Sequence, residues 1–316
     1  MRIAVTGSIA TDHLMTFDGL FVEQLLPDQL ANLSVVFLAD SLEIRRGGTG
    51  ANIAFGMASL GYTPQLIGAV GKDAGDYVSS LAASGVDTAG VRVSETLNSP
   101  RFTVVTDKAQ NQIGSFYPGA MAEAAELSMN DNDADLVLIS PNDPGAMLRY
   151  TAECTAAGRP FAADPSQTLT FLDGEAITSL ITGAAYLFTN EYEAGLVADK
   201  TGLSDAQILD VVGTRITTHG AKGSVISRKG HDDLHVGIAE ADVVVDPTGT
   251  GDAFRAGFLT ATAWGLGLER AAQVGSLLAT HVVETVGPQD YVLTEFLARF
   301  EKAFGSAAAA EVAPHL

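Results

Sequence analysis

"DPTGTGDAFRAGFL", residues 246–259, is the stretch whose reading decides the fold. Gly249 and Gly251 leave the backbone free to wrap closely around a ligand. The apolar run behind them predicts a helix, with its first N–H groups and positive dipole end facing whatever sits in front. Such a turn is an anion site. Asp252 stands at its mouth, where its charge repels a phosphate. An acidic residue in a first turn also favours the helix by itself, but capping requires neither close backbone approach nor two glycines. All these residues are accommodated if the backbone N–H groups of Gly249, Thr250 and Gly251 stabilise charge on a transferring phosphoryl group. Asp252 then accepts the proton of the attacking hydroxyl, which stands between carboxylate and phosphate.

Outward from this loop, short β-branched runs alternate with helical patterns. The runs are "RIAVTGS" (2–8), "PQLIGAV" (64–70), "ADLVLIS" (134–140), "RPFAAD" (159–164), "AAYLFTN" (184–190) and "RITTHG" (215–220). Amphipathic stretches at 51–60, 73–84, 143–157 and 203–212 lie between them. Alternation at these lengths predicts an α/β fold, a mainly parallel central sheet covered by helices on both faces. Two segments break the pattern: 12–46, with "NLSVVFLADSLEIRR", and 99–117, with "SPRFTVVTDKAQNQIGSFY". Both read as strand pairs without an intervening helix, which predicts a small β-sheet lid beside the main sheet, hinged at Gly47-Gly48. The expected division is a large domain of 1–11, 47–98 and 118–316 and a lid of 12–46 and 99–117.

Composition limits the function classes. A net charge of −20 argues against a nucleic-acid or anionic-membrane surface. No run of eighteen apolar residues appears in the 316, and the start lacks the pattern of a signal peptide. Cys154 is the single cysteine, so no disulfide forms within the chain. The expectation is a cytoplasmic protein acting on small molecules. "HDDLH" (231–235) spaces two histidines like a helical zinc pair but sits in a hairpin pattern.

The chain resembles the ribokinase/PfkB family of small-molecule kinases, most closely its bacterial adenosine kinases. The resemblance is carried by "GSIATDHLM" (7–15), "GGTGANIAFGMASLG" (47–61), "ADPSQ" (163–167), "TNEYE" (189–193), "THGAKG" (218–223) and "DPTGTGDAFRAGF" (246–258). It implies a ribokinase-like fold and ATP-dependent phosphorylation. Asp252 matches the family's catalytic base, and Gly249, Thr250 and Gly251 its anion hole. Asp12 matches the carboxylate that holds sugar hydroxyls, and Gly48 and Asn52 match positions lining the sugar site, with Ser8 beside it. Asn190 and Glu193 match an N-x-x-E motif that organises water-bound Mg²⁺; by themselves they read as a helix cap. Thr218, Gly220 and Gly223 match the loop that contacts the nucleotide, and by themselves form a strand–turn–strand. Asp246 matches a position near a monovalent cation, usually K⁺. Pro247 stands where many members carry Thr, and Thr250 where Ala is common.

Phe102 and Phe116 resemble the aromatic pair that sandwiches a purine, with Gln167 as a base-edge contact and Tyr117 as a further wall. The alternative, that the two rings fill the core of the small sheet, stays open at this point. The resemblance therefore implies phosphorylation of the 5′-hydroxyl of a purine nucleoside, adenosine to AMP. The rivals are a ribokinase- or fructokinase-type sugar kinase, a guanosine or inosine kinase, and a non-catalytic nucleoside sensor. An apolar face around Val36, Phe37 and Leu38 on the lid implies a homodimer through that surface.

Overall fold

The computed structural model describes residues 1–25 and 34–316. Along the chain the strands are β1 (Ile3–Thr6), β2 (Ala10–Phe17), β3 (Ser41–Gly47), β4 (Gln65–Val70), β5 (Asp87–Val93), β6 (Arg101–Asp107) and β7 (Gln112–Tyr117). They continue with β8 (Leu136–Ile139), β9 (Phe161–Ala163), β10 (Tyr186–Asn190), β11 (Thr214–Thr218), β12 (Ser224–Ser227) and β13 (Leu234–Val236). All six β-branched runs are strands of one nine-stranded sheet, ordered β13-β12-β11-β10-β9-β8-β1-β4-β5. Pairing is parallel from β11 through β5 and antiparallel at β11–β12 and β12–β13. The central strands are apolar on both faces, as a sheet covered twice requires: Ile3, Ala4, Val5, Leu136, Val137, Leu138 and Ile139 are all buried.

From β1 the chain first builds outward to β4 and β5, then returns to β8 and runs the other way. That reversal opens a crevice beyond the carboxyl ends of the strands, where ligands of open α/β sheets bind. Four of the six quoted signatures lie there. Ser8 follows β1, Asp164 follows β9, Asn190 ends β10 and Thr218 ends β11.

The helix Thr250–Ala263 is enclosed on every side, with Ala253 through Ala261 all buried. Phe258 packs edge-on against Phe188 of β10 at 5.3 Å between ring centres. On the other side the helix meets Leu268–Val283 backbone to backbone: a Cβ on Gly257 would lie 2.7 Å from the Gly275 Cα. The loop 246–251 therefore hangs from a helix with no room to shift.

The small sheet has the order β3-β2-β6-β7. β2–β3 and β6–β7 are antiparallel, while β2 and β6, which come from the two separate excursions, pair parallel. The first excursion differs from its sequence reading. Residues 34–39 form no strand, and the part at 26–33 lies outside the described residues. The strand is the later "SLEIRRG", and Phe37 instead joins Phe17 and Phe21 in a ring cluster, 5.3 and 4.8 Å between centres. "HDDLH" lies in the β12–β13 hairpin as expected. No helix among the described residues is long and apolar enough to cross a membrane.

Candidate active site

Gly249 adopts φ 79° ahead of the helix Thr250–Ala263, a left-handed conformation that a side chain would strain. A Cβ there would also strike Pro288 at 2.5 Å. The Thr250 hydroxyl turns back and donates to the Pro247 carbonyl at 2.9 Å, so its extra bulk is folded into the turn. The next N–H groups, of Gly251 and Asp252, belong to the first helical turn and have no acceptor within the helix. The Thr250 N–H, expected to face an anion, instead reaches the Pro247 carbonyl at 3.3 Å.

Asp252 is half-buried just behind those groups. Burial pushes its carboxyl up to about 6, opposed by hydrogen bonding from Asn52 and the charge of Arg255 and reinforced by Glu193. Asn52 Nδ2 donates to Asp252 Oδ2 at 2.8 Å. Asn52 is itself held, because Gln289 Nε2 donates to its Oδ1 at 2.7 Å and to the Tyr77 hydroxyl at 2.6 Å. Tyr77 in turn donates to the Gly47 carbonyl at 2.8 Å. A continuous hydrogen-bonded line thus runs from the end of β3 to Asp252. Its outer members, Tyr77 and Gln289, carry no sequence signature and were missed.

Arg255 was also missed, although a lone arginine in the apolar run "AFRAGFL" is a visible signal. It is 5% exposed, lies over the Phe188 ring, and donates to the Gly251 carbonyl at 3.0 Å. Its Nη2 is 2.7 Å from Asp164 Oδ1 and 3.7 Å from Glu193 Oε2. Asp164 is 0% exposed, and burial pushes its carboxyl up against the pull of Arg255. Asp164, Glu193 and Asp252 thus share one guanidinium. The cluster keeps negative charge uncompensated near the anion turn.

Asn190 and Glu193 form a reciprocal capping box: the Asn190 side chain accepts from the Glu193 N–H at 2.8 Å and the Asn190 N–H donates to Glu193 Oε2 at 2.7 Å. The structural reading of that motif therefore holds, whatever else Glu193 does. Thr218, Gly220 and Gly223 form the strand–turn–strand, with Gly223 at φ 92° and a Cβ excluded there by the Val236 carbonyl at 2.1 Å. Ser8 is buried and its Oγ accepts the Thr49 N–H at 3.0 Å, so it fixes the start of the helix Thr49–Ser59. Gly48 caps that helix at φ 93°, with the Ser8 carbonyl 2.5 Å from where a Cβ would be. Gln167 is exposed and reaches Thr49 Oγ1 at 3.4 Å.

In the small sheet, Arg45, Asp12, Phe102 and Phe116 are direct partners on successive strands β3, β2, β6 and β7. Direct partners share a face. That face looks toward the 246–251 turn, since Arg45 Nη1 bonds Asp246 Oδ2 at 2.8 Å. Phe102 and Phe116 are 37% and 50% exposed. That exposure is more than rings filling the core of the small sheet would have. Tyr117, next to Phe116, is exposed as well. Burial raises the Asp12 carboxyl, partly offset by Arg45.

Residues 9–295 match the pfkB family of carbohydrate kinases. The chain belongs to that family. It is 32% identical over 260 residues to a nucleoside kinase of Methanocaldococcus jannaschii, 81% of this chain and 85% of the relative. It also superposes on a Burkholderia thailandensis nucleoside kinase in complex with inosine, with 36% identity and TM-score 0.83, covering 96% of this chain and 99% of the other. The same kinase in complex with ADP-inosine gives 36% identity and TM-score 0.81, over 96% and 97% of the two chains.

The two ions implied for this pfkB-family kinase fare differently. Among the described residues no group of three or more His, Cys, Asp or Glu side chains could hold a metal directly. Mg²⁺ is ordinarily bound by one or two carboxylates together with substrate phosphates and water. The chain fits that pattern: Glu193 Oε1 receives only a 3.3 Å contact from Ser166, and of the buried Asp164 oxygens Oδ1 meets Arg255 alone while Oδ2 has no hydrogen-bond donor. The K⁺ expectation at Asp246 does not fit. Asp246 Oδ1 accepts the Thr248 N–H at 2.9 Å, and Oδ2 accepts the Gly287 N–H at 3.3 Å besides the Arg45 guanidinium. A second cation beside that carboxylate would sit ~4 Å from the guanidinium, a repulsion of about 4 kcal/mol at an effective dielectric constant of ~20.

Proposed function

We propose that this kinase transfers the γ-phosphoryl group of ATP to the 5′-hydroxyl of a purine nucleoside, with adenosine as the preferred acceptor. The observation that carries the acceptor class is the row Asp12–Phe102–Phe116 on the inner face of the small sheet. A carboxylate that binds ribose hydroxyls lies beside two unpacked rings that a base would stack upon. The likeness to kinases that act on nucleosides supports the same reading. Gln167 lies across the crevice, above the start of the helix Thr49–Ser59, where an amide can meet the polar edge of adenine.

Asp12, Gly48 and Asn52 orient the ribose toward Asp252, and Asp252 accepts the 5′-hydroxyl proton as the phosphorus is attacked. A carboxyl pushed up to about 6 is a stronger base than a free one while remaining ionised at neutral pH. The N–H groups of Gly249 and Gly251 stabilise charge on the transferred group, while that of Thr250 turns to the Pro247 carbonyl at 3.3 Å. Thr218, Gly220 and Gly223 border the nucleotide, and Glu193, beside Asn190, would hold through water a Mg²⁺ ion that would neutralise phosphate charge. The small sheet closes over the crevice as a lid about Gly47-Gly48 and excludes water. Its outer face presents Leu42, Ile44 and Ile113 to solvent, which supports pairing with the lid of a second copy.

The test is ADP release with Mg-ATP across adenosine, inosine, guanosine, ribose and fructose. Adenosine should give the highest kcat/KM. A sugar exceeding every nucleoside would overturn the assignment.

A further inference from the structure

An arginine already sits where an ion was expected. Arg45 lies on β3, and its side chain and that of Asp246 are 17% and 16% exposed at their 2.8 Å contact. The remaining guanidinium nitrogens are fixed by Glu43, Nε to Oε1 at 2.7 Å and Nη2 to Oε2 at 2.8 Å. This fork–fork pairing leaves Nη1 aimed at Asp246 with little freedom. Two backbone oxygens near Asp246 are also occupied. Pro247 O accepts both the N–H and the hydroxyl of Thr250, and Val283 O accepts the N–H groups of Val245 and Asp246. Asp246 holds the Thr248 N–H one step before Gly249, so whatever fixes Asp246 fixes the start of the anion turn.

We propose that Arg45 is the built-in cation of this loop: its guanidinium takes the place of a monovalent metal ion at Asp246 and orders the turn 247–251 for phosphoryl transfer. Because Arg45 is carried by the lid and is the direct partner of Asp12, the cation is delivered together with the residue that holds the ribose. Arg45 is thus a positioning residue, acting through Asp246. The inference rests on phosphoryl transfer at Asp252, and it adds that the reaction is independent of K⁺.

Turnover and melting temperature are measured in KCl and in tetramethylammonium chloride at equal ionic strength. The wild type should show the same values in both. Arg45→Ala in tetramethylammonium should lose about ten- to a hundredfold in turnover, and K⁺ or guanidinium ion should restore part of it and raise the melting temperature by filling the vacated place. Arg45→Lys keeps the charge and should retain more turnover than Arg45→Ala in tetramethylammonium. A wild type several-fold faster in K⁺, or an Arg45→Ala enzyme unaffected in either salt, would overturn the proposal, as would Arg45→Lys falling as low as Arg45→Ala. If no acceptor releases ADP, the phosphoryl-transfer reading fails instead, and the melting temperatures still report whether a cation enters the site.

Discussion

Asn52 donates to Asp252 at 2.8 Å across 200 residues of chain, joining the helix behind the diglycine hinge to the helix behind the anion turn. Both residues were legible as single letters in glycine-rich signatures. Their contact was not, because it depends on how the two helices pack around β1. The contact gives Asp252 a defined direction, and the burial that accompanies it raises its basicity.

Replacing Asp252 by Asn keeps the shape and removes the proton acceptor, so turnover should fall by about 10²–10⁴ with little change in nucleoside affinity. Stability should move the other way. The folded carboxyl titrates at about 6 against 3.8 for a free one, so the folded state binds the proton more tightly. Stability from this group is greatest below the lower value and is lost as pH rises toward the higher one. At neutral pH the ionised Asp252 costs up to about 3 kcal/mol. Calorimetry at pH 7.5 should therefore show Asp252→Asn melting higher than the wild type, and the gap should close below pH 4. Equal turnover in the folded variant would remove Asp252 from the chemistry.

The same value sets the acid limb of the rate profile. kcat/KM should decline with unit slope below about pH 6. Asn52→Ala deletes the hydrogen bond that holds the carboxyl down, so the limb should move to higher pH. Gln289→Met, which frees Asn52 without touching Asp252, should move it the same way by less. Limbs that coincide in all three proteins would mean that the line from Gly47 to Asp252 does not tune the base.

How far the sequence reached is clear from where it stopped. The parallel sheet was readable because strands buried on both faces are continuous apolar runs, such as Leu136–Ile139. Residues 34–39 misled, because "SVVFLA" has β propensity but its Phe37 was recruited by Phe17 and Phe21. Backbone needs at Gly48, Gly223 and Gly249 left a signature in residue type. Side-chain partnerships such as Arg45–Asp246 and Gln289–Asn52 leave none, since arginine and glutamine are ordinary surface residues until a fold encloses them. That is why the Asp246 position was matched to an ion and not to the guanidinium beside it.

Arg255 is the single cation among three carboxylates. Arg255→Met preserves volume but leaves Asp164 wholly buried and unpaired, which should destabilise the fold by about 3–5 kcal/mol. Arg255→Met with Asp164→Asn should regain part of that loss, because the buried charge is gone. A chemical-denaturation series of the two proteins checks this. If the double variant is no more stable than the single one, the pairing of Arg255 with Asp164 is not what the fold depends on.

Assembly can be decided by mass. Leu42, Ile44 and Ile113 are exposed on the lid face opposite Asp12 and the two phenylalanines, and Val36 and Leu38 add apolar surface nearby. Light scattering at assay concentration should give twice the chain mass, and Ile44→Glu should reduce it to that of one chain. A wild-type mass of one chain would exclude the lid-to-lid dimer.

Phe102 and Phe116 offer the test of the proposed acceptor. They face each other directly across β6 and β7, and the Phe102 ring lies over Gly114, where a Cβ would approach it to 3.1 Å. Gly114 thus sets where the ring lies without covering it. If both rings clamp a purine, Phe102→Ala or Phe116→Ala should each remove about 1–3 kcal/mol of adenosine binding, roughly ten- to a hundredfold. Because the rings are half-exposed, truncation should scarcely change the melting temperature, unlike loss of a core phenylalanine at about 3–5 kcal/mol. Ribose supplies the control, since it has no base to stack. Its weak turnover should survive both substitutions while adenosine turnover at low concentration collapses. Equal losses for ribose and adenosine would place the rings in the architecture of the lid, and an unchanged adenosine affinity would take the base away from this face altogether.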